Sequence, residues 1–421
     1  MPQNPDDIAL TGRTTARPET VRNELTGERA DERAKTPERG RVPVGRLVGA
    51  DLARGLAVFG MYAAHVGPDP SEGGATGFLM ELAHGRASAL FAFLAGFSIM
   101  LITGRRTPRT GREGRQAVAK VVIRALVLLA LGTALTMSGT PVEVILAFYG
   151  LYFLLVLPLY CLSARPLAIT AVASALVLPQ VLYVIQRALP EDGASGIWAW
   201  PADGDGIVSL LFTGSYPALS WVPFVIAGMA VARLDLASTL VRTRLAITGA
   251  GLAVLGYGGS FLALHLVPGA LKALNAANWG EGGSAASAWW SDTWGYPDGS
   301  TTADLLVASP HSETTLSILA NTGVALIVLA GCLAAVDTFP RFHRIARPVI
   351  AVGSMSLSAY VLHIVGIHFL GIEDLPGPPL HVLLGFIVAV TAFATLWSRY
   401  FRRGPLEWLL GKATKPAERV R

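Results

Sequence analysis

Residues 46–65 read RLVGADLARGLAVFGMYAAH, an apolar run of membrane-spanning length that carries a carboxylate, a guanidinium and an imidazole, on Asp51, Arg54 and His65. Charged groups inside a bilayer are costly, so each must be paired or functional. At about 100° per residue, Asp51, Arg54, Val58, Tyr62 and His65 share a sector of roughly 80°. Asp51 and Arg54 can pair at one end of this stripe, and His65 lies about 16 Å beyond Arg54, near the other end. Imidazole is the side chain best suited to moving a proton near neutral pH, and a guanidinium fork suits phosphate oxygens. The stripe therefore offers anion binding at one membrane surface and acid–base chemistry at the other.

Residue depth along neighbouring runs sorts further candidates into the same two layers. Arg124, about one turn into the third run, joins Asp51 and Arg54 in the inner layer, where arginines could hold a phosphate-bearing ligand. Glu81, His84 and Arg86 join His65 in the outer layer, in which a carboxylate could orient an imidazole. His311, in PHSETT, precedes the eighth run from outside, and Tyr360 and His363 lie i to i+3 on one face of the ninth, so either group could reach the same outer cavity. The bland alternatives are an Asp51–Arg54 packing pair, an Arg124 that snorkels to headgroups, and histidines satisfied in the core. Metal-ligand spacings, CxxC, Walker loops and GxSxG are absent from the sequence, so neither a metal site nor hydrolase or NTPase chemistry is expected.

The elements that must position these residues are helices in a membrane. Of 421 residues 52% are hydrophobic and 15% charged, a balance that excludes an ordinary soluble globule. Ten runs are long enough to span, near 47–66, 78–103, 118–138, 142–162, 165–187, 207–232, 243–267, 314–336, 345–370 and 380–401. The expected fold is an all-α polytopic bundle of about ten transmembrane helices. Connections near 104–120, 233–244 and 337–348 are basic while the alternate ones are nearly free of Lys and Arg, which places both termini in the cytoplasm. The +5 charge thus reflects topology, and nucleic acid is not an expected partner. Residues 1–45 are polar with mixed charge and are expected to form a disordered cytoplasmic tail; 46–403 form the membrane domain and 404–421 a second short cytoplasmic tail. The long connection 268–313, rich in tryptophan with Trp279, Trp289, Trp290 and Trp294, reads either as an interfacial belt or as a lid and sugar platform.

With these residues in place, the chain resembles the transmembrane acyltransferase superfamily, specifically bacterial proteins similar to the catalytic domain of heparan-α-glucosaminide N-acetyltransferase and the related DUF418 membrane family. The features that carry the resemblance are RLVGADLARGLAVFGMYAAH with LFAFLAGFS, SWVPFVIAGMAVARLD, PHSETTLSILANTG, AVGSMSLSAYVLH and GPLEWLL. The resemblance implies an enzyme of the plasma membrane that moves an acyl group, foremost acetyl, from cytosolic acyl-CoA to an extracytoplasmic glycan or glycolipid. It implies catalytic roles among His65, Asp51 and His84, and donor binding among Arg54, Arg124 and Arg86. His311, Tyr360, His363, Trp289 and Trp290 are then candidates on the acceptor side. In the lysosomal enzyme the essential histidine follows the first catalytic span; His65 and His84 both stand in that neighbourhood, and the motif does not choose between them. The competing reading is a transporter or flippase whose polar stripe is a substrate path. A homodimer is left open.

Overall fold

The computed structural model describes residues 47–188, 206–277, 284–291, 300–372 and 377–420, and every regular element among them is helical. The expected tail 1–45, and Trp279 and Trp294 of the long connection, lie outside the described residues. In chain order the helices are α1 (Val48–Val66), α2 (Gly74–Ala83), α3 (Arg86–Thr103), α4 (Gly111–Thr136), α5 (Leu146–Val156), α6 (Ala164–Ala188), α7 (Ala218–Ala232) and α8 (Thr239–Ala253). They continue as α9 (Gly259–Leu266), α10 (Ala270–Ala276), α11 (Thr315–Thr338), α12 (Pro340–Ser354), α13 (Ser356–Leu370), α14 (Leu380–Tyr400) and α15 (Pro405–Ala413).

Six helical stretches are long and apolar enough to cross a membrane, and the bent pair α12–α13 makes a seventh when taken as one span. The remaining expected runs are helical as well. The apolar helices α5 and α7 are shorter, and α1 is made less apolar by the Asp51, Arg54 and His65 of its stripe. The 76° bend between α12 and α13 frees backbone N–H groups at the start of α13. The Glu407 carboxylate of α15 caps them, accepting from Leu357 N at 2.8 Å and Ser358 N at 3.1 Å. An anion at a helix N-terminus also complements the helix dipole, which gives the GPLEWLL element a structural task.

Around α1 pack α3, α11, α12, α13 and α14. Its middle residues Ala53, Ala57 and Val58 are fully enclosed, so the helix that carries the stripe is the centre of its bundle and its polar face meets protein. Small residues allow this closeness. A side chain on Gly353 of α12 would run into the Asp51 carbonyl oxygen at 1.7 Å, so these two backbones touch where the stripe begins.

The two ends of the bundle are chemically distinct. At one end the Arg233 guanidinium binds the carbonyls of Leu162, Arg105 and Tyr160, Arg106 faces Asp235 at 3.6 Å, and Arg242 pairs with Asp337. This end gathers the last turns of α3, α7 and α11 with the first of α8. The opposite end gathers the last turns of α1 and α6 with the first of α3, α7 and α11, and it holds the main cavity. The basic and non-basic connections thus segregate to opposite ends, the arrangement that the positive-inside rule requires.

Candidate active site

The cavity has a volume of about 530 Å³ and is walled by residues of α1, α2, α3 and α6 and of the segments that precede α5, α7 and α11. His65, His84 and His311 all line it, as do the acidic residues Glu143, Asp304 and Glu313. Hydroxyl and amide groups of Ser88, Tyr183, Gln186, Ser215 and Tyr216 complete the polar wall. No Lys or Arg is among the described residues that line it. A chamber with imidazoles and carboxyl groups but no cation suits a neutral or cationic, hydroxyl- or amine-bearing molecule, and disfavours phosphates.

Local chain geometry sets each histidine. α1 stops at Gly67, whose N–H reaches back to the Ala63 carbonyl, with Pro68 behind it to prevent continuation. His65 is therefore held in the last helical turn rather than in a loop. The break between α2 and α3 falls at His84 and Gly85; Gly85 has φ +60°, and a side chain there would meet Pro310 Cβ at 2.5 Å. Only glycine lets the His84 turn sit this close to the segment bearing His311. His311 and Glu313 themselves have φ +56° and +60°, two non-glycine residues in the left-handed region two positions apart. Such conformations cost roughly 1–3 kcal/mol each and persist where surrounding contacts impose them. His311 is braced by the rings of Tyr216 and Trp221, at 5.5 and 5.8 Å between centroids.

Glu313 is the residue that sequence reasoning passed over. It opens only partly to the cavity, and the surrounding wall desolvates its carboxylate and raises its pKa well above the usual carboxylate range; hydrogen bonds with Trp221 and Ser220 oppose the shift without reversing it. The native state therefore keeps a proton that the unfolded chain releases near its ordinary value of 4.5. The stabilisation is complete below that pH and is lost as pH rises toward the folded value. Glu313→Gln should consequently show a flatter fall in Tm between pH 5 and pH 8 than the unsubstituted protein, measured by thermal unfolding in lipid nanodiscs. Parallel curves would show that Glu313 is ionised in both states. The signal available in the sequence was its neighbour: Glu313 stands two residues after His311 in the same SPHSETT segment.

Of the outer-layer candidates, His65 makes the most informative contact. Its Nδ1 lies 2.9 Å from His363 Nε2. His363 and Tyr360 are both 1% exposed and neither lines the cavity, which corrects the expectation that they reach it directly. Tyr360 accepts instead from the Ile145 backbone N–H at 3.2 Å. The orienting carboxylate expected beside the imidazole is absent from this contact; a second imidazole takes its place. Asp51 stands 14 residues before His65 on the same helix, about 21 Å away, and accepts from Arg54 at 2.7 Å.

The arginines separate by role. Arg54 also donates to Ser98 Oγ at 3.0 Å and is largely enclosed, so it joins α1 to α3. Arg124 is in the field of Arg403 and Glu407 from the C-terminal segment, and its Nε has no hydrogen-bond partner among the described residues. Arg86, expected beside phosphates, is turned to protein: it donates to Tyr257 Oη at 2.9 Å, to the Glu81 carbonyl at 2.6 Å and to the Trp290 carbonyl. Tyr257 is delivered by a π-helical turn at Val254–Gly258, and its hydroxyl donates onward to Asn321 at 2.9 Å. Trp290 covers Arg86, while Trp289 packs against Phe261 in a small separate core with Leu264 and Leu274. The two tryptophans expected to form a sugar platform therefore brace the arginine and the loop, and neither is among the residues lining the cavity.

Residues 296–416 match the family described as a protein of unknown function, DUF418. Residues 46–259 match the family described as heparan-alpha-glucosaminide N-acetyltransferase, catalytic. No curated protein matches the chain. The second match covers the stripe helix, the His84 turn, Glu143 and Tyr216, just over half of the chain. A helical membrane protein whose matched segment builds most of a histidine-lined chamber has the N-acetyltransferase type of function, and the chain belongs to the heparan-alpha-glucosaminide N-acetyltransferase catalytic-domain family.

Proposed function

We propose that the protein takes an acyl group, most simply acetyl, from cytosolic acyl-CoA and transfers it to a hydroxyl or amine of an envelope glycan or glycolipid on the outer side of the plasma membrane. The observation that carries this reading is the division of polar chemistry between the two ends of the bundle. The histidine-lined chamber, with no Lys or Arg among the described residues that line it, accommodates an acceptor and is poorly suited to CoA phosphates, whereas basic side chains collect at the opposite end. In this reading both termini are cytoplasmic and the chamber opens outward.

The chemistry then needs three parts. Arg124, with Arg403 nearby, holds donor phosphates at the inner end, a role to which a guanidinium with an unfilled N–H is suited. Arg54 and its partner Asp51 shape the inner half of α1. His65, in the chamber wall, acts on the acceptor as general base or carries the acyl group transiently, with His84 and His311 contributing to acceptor placement.

The test is acyl transfer by purified protein in lipid vesicles, with acyl-CoA on one side and amino or hydroxyl sugars on the other. Thiol release with a matching gain of acyl mass on the sugar supports the enzyme; sugar or anion flux without thiol release would favour a transporter and sink the proposal. Arg124→Gln should raise the KM for acyl-CoA roughly ten-fold, the scale of one lost charge-assisted contact. The residual binding should also depend less on salt. An unchanged KM would return Arg124 to a structural role.

A further inference from the structure

We infer that His363 is a positioning residue that fixes the tautomer of His65, holding its proton on Nδ1 so that the Nε2 lone pair is the one left for the chamber. The inference rests on the proposed reading of His65 as the reacting imidazole, and it adds which nitrogen reacts and what holds it.

The argument is a chain of donors and acceptors. His363 Nδ1 is hydrogen-bonded to the Tyr360 backbone carbonyl. A carbonyl oxygen can only accept, so Nδ1 of His363 carries the hydrogen. A neutral imidazole has a single N–H, which leaves His363 Nε2 as an acceptor. The atom 2.9 Å from it is His65 Nδ1, which must therefore donate. His65 Nε2 is then the bare nitrogen.

The surroundings hold this arrangement in place. The two imidazole planes lie within 11° of each other with centroids 5.2 Å apart, a separation that aims N–H at lone pair nearly within the plane of both rings. Tyr62, one turn before His65 on α1, stacks on His363 at 4.6 Å and donates its hydroxyl to the Ala359 carbonyl at 2.7 Å. His363 is 1% exposed and absent from the chamber wall, whereas His65 is in it. His363 thus acts on the reaction only through His65.

During transfer the acceptor's O–H or N–H bond breaks, its proton goes to His65 Nε2 and its electron pair forms the bond to the thioester carbonyl carbon. The C–S bond then breaks, and the departing thiolate recovers the proton from Nε2. Between these events His65 is a cation whose Nδ1–H bond to His363 strengthens, so the partner stabilises the charged form as well as orienting the ring.

Nitrogen-15 spectra of histidine-labelled full-length protein in nanodiscs, with the His65 signals identified by their loss in His65→Gln, should show a protonated Nδ1 and an unprotonated Nε2. A His65 with unprotonated Nδ1 overturns the inference. In the transfer assay, His363→Leu should lower kcat by roughly ten- to a hundred-fold, the scale of a lost orienting partner, with KM for the acceptor unchanged. His363→Gln, which retains an acceptor oxygen, should recover most of the loss. Equal turnover in the two variants also overturns it. Full turnover in His65→Ala, by contrast, brings down the functional reading and leaves the tautomer assignment to be judged by the spectra alone.

Discussion

His65→Ala is expected to lower acyl transfer by about 10² to 10⁴, the usual contribution of a positioned acid–base group, while acyl-CoA binding stays within experimental error. The physical basis is its place in the structure. The ring is in the last turn of the helix at the centre of the bundle, faces the chamber and is gripped from behind by His363. Removing it strands the buried His363 Nε2 acceptor, a loss of about 1–3 kcal/mol, so a modest drop in Tm should accompany the much larger loss of activity. His84→Ala should cost less activity because its backbone carbonyl, which the substitution retains, accepts from the Arg86 N–H. Retained turnover in His65→Ala together with an inactive but folded His84→Ala or His311→Ala would move the catalytic base from α1 to the loops.

Arg86→Ala is expected to have the largest effect on stability, a loss of about 3 kcal/mol, because the substitution strands several buried acceptors of a charged donor at once. Its guanidinium joins the α2–α3 turn, the π-helical turn at Tyr257 and the Trp290 segment, and its charge lies over the Tyr257 and Trp290 rings at 5.4 and 5.9 Å. Lysine cannot substitute, since one ammonium does not reproduce a planar fork aimed at separate acceptors. Thermal unfolding in nanodiscs should therefore show a similar drop for Arg86→Lys, and limited proteolysis should cut near Trp289 and Trp290. Donor affinity should be unaffected in whatever fraction remains folded. An unchanged Tm with lost acyl-CoA binding would restore Arg86 to the phosphate-binding role that its residue type suggested.

Much of the site was legible from local periodicity. The 3.6-residue repeat placed Asp51, Arg54 and His65 on one face, and residue counts from the basic connections sorted His65, His84 and Arg86 to one end and Arg54 and Arg124 toward the other. The PHSETT segment, singled out for its histidine, brings His311 to the chamber and Glu313 with it. These properties depend only on neighbours along the chain and on the solvent, water or lipid, in which each run must rest.

Which side chains meet was decided by tertiary structure. His65 and His363 are 298 residues apart, and nothing in either segment's period specifies that one imidazole accepts from the other. Arg86 reads as an anion-binding residue by type, yet the π-helical turn at Tyr257, which α11 holds through Asn321, and the Trp290 loop fill its fork with protein acceptors. Glu313 carries no signal of its own in the sequence, yet a left-handed backbone and the Trp221 wall enclose it and raise its pKa. The sequence by itself determined the helices, the gathering of basic connections at one end of the bundle and the polar stripe, because backbone hydrogen bonding and hydropathy act locally. Only the tertiary structure decided the partners, because a buried polar group takes whichever donor or acceptor close packing brings within about 3 Å of it.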